Sequence, residues 1–107
     1  MHYWLIMPAA GSGSRFGDRL PKQYTEIHGR TLIEWALDPF ARDPRCAGIV
    51  VALAPGDPYW MHVARRAGPH LTTVEGGAER SRSVRNGLAA LAGRAAAADW
   101  VLVHDAA

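Results

Sequence analysis

Three stretches of this 107-residue chain carry residue types suited to holding polyphosphate. Pro8-Ala-Ala-Gly-Ser-Gly-Ser-Arg-Phe-Gly17 is rich in small residues. These let a phosphate approach the backbone, where consecutive N–H groups can form an anion-binding nest. Arg15 and Lys22 flank the second half of that loop with positive charge, and Pro21 stiffens the approach to Lys22. Gly76-Gly-Ala-Glu-Arg80 leads into a helical pattern, and a helix N-terminus presents free N–H groups and a positive dipole end. Asp105 follows the last apolar run, a usual station for a carboxylate that holds metal or substrate.

Other phosphate loops fit less well. A Walker A loop needs Gly-Lys-Ser/Thr after its second glycine, and none is present. A dinucleotide fingerprint needs a third glycine where Phe16 stands, and an acid for the ribose where the chain reads Leu53-Ala54-Pro55. Plain structural roles compete as well. The glycines can form a simple turn, Ser81 or Ser83 can cap a helix, Asp105 can cap a turn, and Arg82 and Arg85 read as solvated helix face. None of the five histidines has a partner at metal-ligand spacing, and none is assigned a catalytic role. The four tryptophans, Trp4, Trp35, Trp60 and Trp100, read as core or packing residues.

The positioning elements alternate. Tyr3 to Met7 and Ile49 to Leu53 are short apolar runs, as in strands buried on both faces, and Leu71 to Val74 and Trp100 to Val103 read as a third and a fourth strand. Thr31-Leu-Ile-Glu34 forms a capping box, and Leu32, Ile33, Ala36, Leu37 and Phe40 follow at helical spacing. Pro39 is expected to kink or end that helix, with Pro44 as its latest limit. Asp57-Pro58 predicts a second helix to about Ala67, closed by Gly68-Pro69. Val84, Leu88 and Leu91 predict a third over about Ser81 to Ala92. Strands alternating with helices imply a parallel sheet with right-handed crossovers, a Rossmann-like α/β sandwich. The expected spatial order of the four strands is 3-2-1-4, which sets the glycine loop beside Asp105. Ligands bind such sheets beyond the carboxyl ends of the strands, where residues 8–22, 54–57, 75–83 and 104–107 fall, and three of these four segments hold nearly all the unusual residues.

Composition excludes several classes. Apolar residues make up 49% and charged residues 21%, which argues against disorder, collagen and coiled coil. No apolar run approaches the roughly 20 residues of a membrane span. The Tyr3–Met7 run is too short for the core of a signal peptide. Cys46 is a single cysteine, so no internal disulfide argues for secretion, and a cytoplasmic protein is expected. The net charge is only +2, but eleven of the twelve basic residues are arginine and Lys22 is the sole lysine. The basic clusters lack the interleaved aromatics of a single-strand groove, so nucleic acid is not an expected partner.

Four motifs in order then resemble a known family. Pro8-Ala-Ala-Gly-x-Gly-x-Arg15 with Pro21-Lys22 is similar to the signature of nucleotidyltransferases acting on sugar phosphates and related substrates. Pro21-Lys-Gln-Tyr24, Gly76-Gly-x-x-Arg80-x-x-Ser83-Val84-x-x-Gly87-Leu88 and Val101-Leu-Val-His-Asp-Ala-Ala107 narrow the resemblance to the 2-C-methyl-D-erythritol 4-phosphate cytidylyltransferases of the non-mevalonate isoprenoid pathway. The resemblance runs over the whole 107 residues and implies a three-layer sandwich of the nucleotide-diphospho-sugar transferase type. It implies CTP and a polyol phosphate as substrates, a divalent cation such as Mg²⁺, and a homodimer for the full-length protein.

By that resemblance Arg15 and Lys22 stabilise charge on the triphosphate. Ala9, Ala10, Gly11 and Gly13 wrap the nucleotide. Gly77, Ala78 and Ser83 hold the cytosine and its ribose, and Ala106 closes the site beside a metal-binding Asp105. Position 78 is often polar in relatives, so at Ala78 a base contact must come from backbone. Relatives continue past the Asp-Ala-Ala motif with acceptor-binding residues and a dimer arm. Residues 1–107 are therefore expected to be the N-terminal, nucleotide-binding part of a single cytidylyltransferase domain, inactive alone. Two alternatives remain at this point: a cytidylyltransferase for another polyol phosphate such as ribitol 5-phosphate, and a nucleotide-binding module without catalysis.

Overall fold

A computed structural model describes residues 2–11, 20–64 and 70–107. The apolar run at the start becomes β1 (Tyr3–Ala9), and Leu5, Ile6 and Met7 in it are fully buried. A 3₁₀ turn follows at Lys22–Tyr24, then a hairpin of two short strands, β2 (Glu26–Ile27) and β3 (Arg30–Thr31). Next come α1 (Leu32–Ala41), β4 (Cys46–Leu53), α2 (Trp60–Ala64), β5 (Leu71–Glu75), α3 (Arg80–Leu91) and β6 (Trp100–Val103).

The main sheet has the order β5-β4-β1-β6, every pair parallel. Counting only its four strands, this is the expected 3-2-1-4. Side chains alternate across the central strand. Leu5, Met7 and Ala9 pack with Ile33 and Leu37 of α1 and Val63 of α2 on one face. Trp4 and Ile6 pack with Val50 and with Leu91 of α3 on the other. The three layers are therefore α1 and α2, sheet, and α3. Pro8 lacks an N–H yet sits in the centre of the sheet. It is tolerated because β6 pairs only with Tyr3 to Ile6, so no strand faces Pro8 on that side.

The capping box forms: the Glu34 N–H donates to the Thr31 hydroxyl, and the Thr31 N–H donates to the Glu34 carboxylate. Several expectations need correction. Pro39 neither ends nor shortens α1, which runs on to Ala41. It falls so near the C-terminus that it removes one ladder bond, to Trp35, and the helix is already closing. The Asp57 carboxylate accepts from the Tyr59 and Trp60 N–H groups, so α2 begins at Trp60. Its expected end at Ala67 lies outside the described residues. Neither Ser81 nor Ser83 caps α3, whose N-cap is Glu79 with no side-chain bond. Strands β5 and β6 are largely exposed, unlike β1 and β4, because each forms an edge of the sheet. Trp35 and Trp100 are exposed too, at 41% and 63%. Trp35 nonetheless has a job: its indole N–H donates to the Ile27 carbonyl at 2.8 Å, and the Arg30 guanidinium lies over its ring. It thereby ties the hairpin to α1. Among the described residues no helix is long and apolar enough to cross a membrane.

Two long-range constraints hold this frame. A methyl group at Gly87 would lie 2.7 Å from Cγ2 of the fully buried Ile6, so glycine is what lets α3 reach the sheet. At the other end, the Tyr3 hydroxyl of β1 donates to Asp43, which also accepts from the Arg45 side chain. Arg45 and then Tyr3 hold the Asp43 carboxyl well below the usual carboxylate range. Burial, with Asp43 beside it, pushes Tyr3 up to about 12.

Both constraints are testable by melting curves. Gly87→Ala gains up to about 1 kcal/mol of helix propensity. It should lose more to overpacking, typically about 1–3 kcal/mol, so Tm should fall. Because the folded Asp43 pKa is depressed, its contribution is present above the ordinary carboxylate pKa of ~4 and is lost as pH falls below it. Wild type should therefore melt above Asp43→Asn at neutral pH, and the gap should narrow steadily as pH falls below about 4.

Candidate nucleotide site

All four strands of the main sheet are parallel, so their carboxyl ends share one edge. The loops leaving β1, β5 and β6 meet there around one open cleft. Its lining includes Ala9, Ala10 and Gly11 from the first loop, Gly77, Ala78 and Ser83 from the third crossover, and Asp105 and Ala106 after β6. Lys22 reaches it from the 3₁₀ turn. Nine residues singled out from the sequence thus share one wall-to-wall site. The remaining two, Gly13 and Arg15, lie outside the described residues.

A close approach joins the first and third loops. A methyl group at Gly76 would come 2.4 Å from the Ala10 Cβ and 2.7 Å from the Ser83 hydroxyl oxygen. The Gly76 N–H donates to the Leu53 carbonyl at 2.7 Å, which carries the chain from β5 across the end of β4 toward β1. Ser83, only 2% exposed, accepts from the Gly77 N–H at 3.1 Å. The Asn86 amide donates to the Glu75 carbonyl at 2.8 Å, fixing α3 to the end of β5. The serine therefore shapes the loop ahead of α3 from inside the helix. Ala9 and Ala106 are buried members of the core, so each can meet a ligand only through its backbone.

The cleft's charges are exposed. Lys22 is open to solvent, and the Arg80 Nε donates to Asp105 at 2.8 Å with both side chains 57% exposed. An ion pair this exposed contributes about 0–1 kcal/mol, so an incoming ligand can open it at small cost. Arg80 was not singled out in the sequence as a site residue, although its place in the Gly76–Gly87 motif, one turn before Ser83, was a signal. Gln23 was missed as well, although it sits next to Lys22 and lines the same cleft. Among the described residues no three His, Cys, Asp or Glu side chains form a group able to hold a metal by themselves. Magnesium commonly takes one or two carboxylates and completes its shell with substrate phosphates and water. Asp105 and Glu79, which both line the cleft, suit that mode.

The family model for 2-C-methyl-D-erythritol 4-phosphate cytidylyltransferase matches residues 3–107. A protein of that name from Pseudomonas aeruginosa is 51% identical over 106 residues, which cover 98% of this chain and 45% of the relative. Another, from Pseudomonas fluorescens, is 47% identical over the same shares. Among solved structures, a 4-diphosphocytidyl-2C-methyl-D-erythritol synthase superposes with a TM-score of 0.81 at 36% identity, over 99% of this chain and 46% of that one. The Francisella tularensis cytidylyltransferase gives 0.78 at 31% identity, over 100% and 45%. A Vibrio cholerae nucleoside-diphosphate-sugar pyrophosphorylase, 24% identical with a TM-score of 0.71, shares the fold. The chain spans about 45% of the length of the curated relatives it matches. With the motifs in order, their loops gathered at one cleft and the match running from Tyr3 to Ala107, this chain belongs to the 2-C-methyl-D-erythritol 4-phosphate cytidylyltransferase family.

Proposed function

We propose that the full-length polypeptide transfers CMP from CTP to 2-C-methyl-D-erythritol 4-phosphate, releasing pyrophosphate, as a step in isoprenoid precursor synthesis. The observation that carries this reading is the convergence of Ala9, Ala10 and Gly11, Lys22, the Gly77–Ser83 segment and Asp105 on one cleft in a chain of this family. In the same reading the full-length enzyme is a cytoplasmic homodimer.

The chemistry asks little of the protein beyond placement and charge. An oxygen of the acceptor phosphate attacks the α-phosphorus of CTP, and the bond from that phosphorus to the bridging oxygen of pyrophosphate breaks. A phosphate is already ionised at neutral pH, so no general base is needed. Catalysis is then positioning plus electrostatic stabilisation, as in other phosphoryl-type transfers. In this reading Lys22 and Arg15 face the charge that builds on the triphosphate. The Ala9–Gly13 backbone wraps the nucleotide, and Gly77, Ala78 and Ser83 receive the cytosine and ribose. Ala78 has no polar side chain, so its contact with the base is through backbone. Asp105 would hold a Mg²⁺ ion, which when bound neutralises phosphate charge.

Turnover of both substrates by the purified full-length enzyme, followed by ³¹P NMR, tests the reading. Product and pyrophosphate should appear together and should stop on chelation of the divalent cation. Lys22→Ala and Arg15→Ala should each lower kcat by on the order of 10²–10³ with little change in Tm, as expected for a lost transition-state contact. Gly76→Ala should push the first and third loops apart. A displacement near 1 Å can cost about 10²-fold, so kcat/KM for CTP should fall on that order while the spectrum of a folded protein is kept.

A further inference from the structure

We propose that Gln23 is a positioning residue for the nucleotide: its carboxamide braces the first loop and thereby fixes where Lys22 stands relative to it. The proposal rests on the cytidylyltransferase reading above. Gln23 is only 7% exposed, unusual for an amide side chain. Its Nε2 donates to the Ala9 carbonyl at 3.0 Å and to the Gly11 carbonyl at 3.2 Å. A carboxamide nitrogen has two N–H donors, and here they meet two carbonyls. Those carbonyls lie on either side of Ala10, the residue whose Cβ packs against Gly76. They also lie where β1 stops, so this stretch of backbone is losing its ladder partners and must find others. Gln23 supplies them across 14 and 12 residues of sequence.

The other side of the 3₁₀ turn is pinned too. Tyr24 is 4% exposed, and its hydroxyl donates to Asp57 at 2.6 Å, in the loop after β4. Burial, with Asp57 beside it, pushes the Tyr24 hydroxyl well above its ordinary pKa, so it stays a donor. The two residues after Lys22 are therefore anchored to two different loops, while Lys22 itself is left open to the cleft. A lysine is a flexible point charge. Anchoring its backbone, and tying the same turn to the loop that receives the triphosphate, is how such a charge is kept at a set distance from its target. Gln23 is bonded to the loop that receives the nucleotide, so its loss should appear in kcat and in the KM for CTP and not in the KM for the acceptor.

Two near-isosteric replacements separate this role from a merely structural one. Gln23→Met removes the donors without adding charge, and Gln23→Glu replaces them with a carboxylate facing two carbonyls. Both are made in the full-length enzyme and assayed well below Tm, with CTP and 2-C-methyl-D-erythritol 4-phosphate varied separately. Turnover by the wild type, measured alongside, tests the functional reading on its own. The expected result is a loss of at least tenfold in kcat/KM for CTP in each variant that keeps the wild-type circular dichroism spectrum. KM for the acceptor should stay within about twofold. Retention of kcat/KM for CTP within twofold would overturn the proposal. So would a rise in the KM for the acceptor as large as that for CTP, and so would failure of both variants to fold, which would make Gln23 a structural residue only.

Discussion

The cleft depends on backbone contact between two loops that the sheet does not make neighbours. Strand β4 stands between β5 and β1, so the loops leaving β5 and β1 would sit one strand apart. Gly76 closes that distance. Its N–H takes the free carbonyl at the end of β4, and its missing side chain leaves room for Ala10 on one side and Ser83 on the other. On the far side of β1, strand β6 delivers Asp105 and Ala106 directly. A parallel sheet brings loop ends to a common edge. The glycine turns that common edge into a single site.

Within the site, polar groups divide by burial. The floor is made of neutral side chains: Gln23 and Ser83 bond to the backbone of the first and third loops and, behind them, the Tyr24 hydroxyl donates to the Asp57 carboxylate. Buried polar groups of this kind are costly when unpaired, so they hold the loops in one arrangement. The charges stand above the floor and in water, on Lys22, Arg80 and Asp105. Solvated charges retain their mobility and their hydration until a ligand displaces the water. A rigid neutral floor under exposed charges suits a substrate that is itself a string of phosphates, because the backbone sets its path and the side chains meet its charge.

Much of this frame was legible in the sequence. The β-branched run at Ile49–Leu53 and the apolar run at Tyr3–Met7 were central strands, as runs without alternation suggest, although the similar run at Trp100–Val103 forms an exposed edge. The capping box marked the start of α1 to the residue. The gathering of small and basic residues at strand ends located the cleft before any contact was known. What stayed hidden was non-local or very short. Strands of two residues show no period, so the hairpin around His28-Gly29, where both φ angles are positive, left no signal beyond its glycine. Exposure of Trp35 and Trp100 follows from the position of a hairpin and of a sheet edge, not from residue type. Gln23 bonds to carbonyls, which every residue has, so nothing in the sequence identifies its targets.

The central claim is that one nucleotide spans the first loop, Lys22 and the Gly77–Ser83 segment. A crystal structure of the full-length enzyme with CTP bound tests it most directly. The account predicts the triphosphate against the Ala9–Gly13 backbone, the Lys22 ammonium within hydrogen-bond reach of a phosphate oxygen, and the base beside Gly77, Ala78 and Ser83. A nucleotide seated away from this cleft, for instance in the hollow lined by Leu20, Tyr24, Glu26, Tyr59 and His62 behind the 3₁₀ turn, would contradict it.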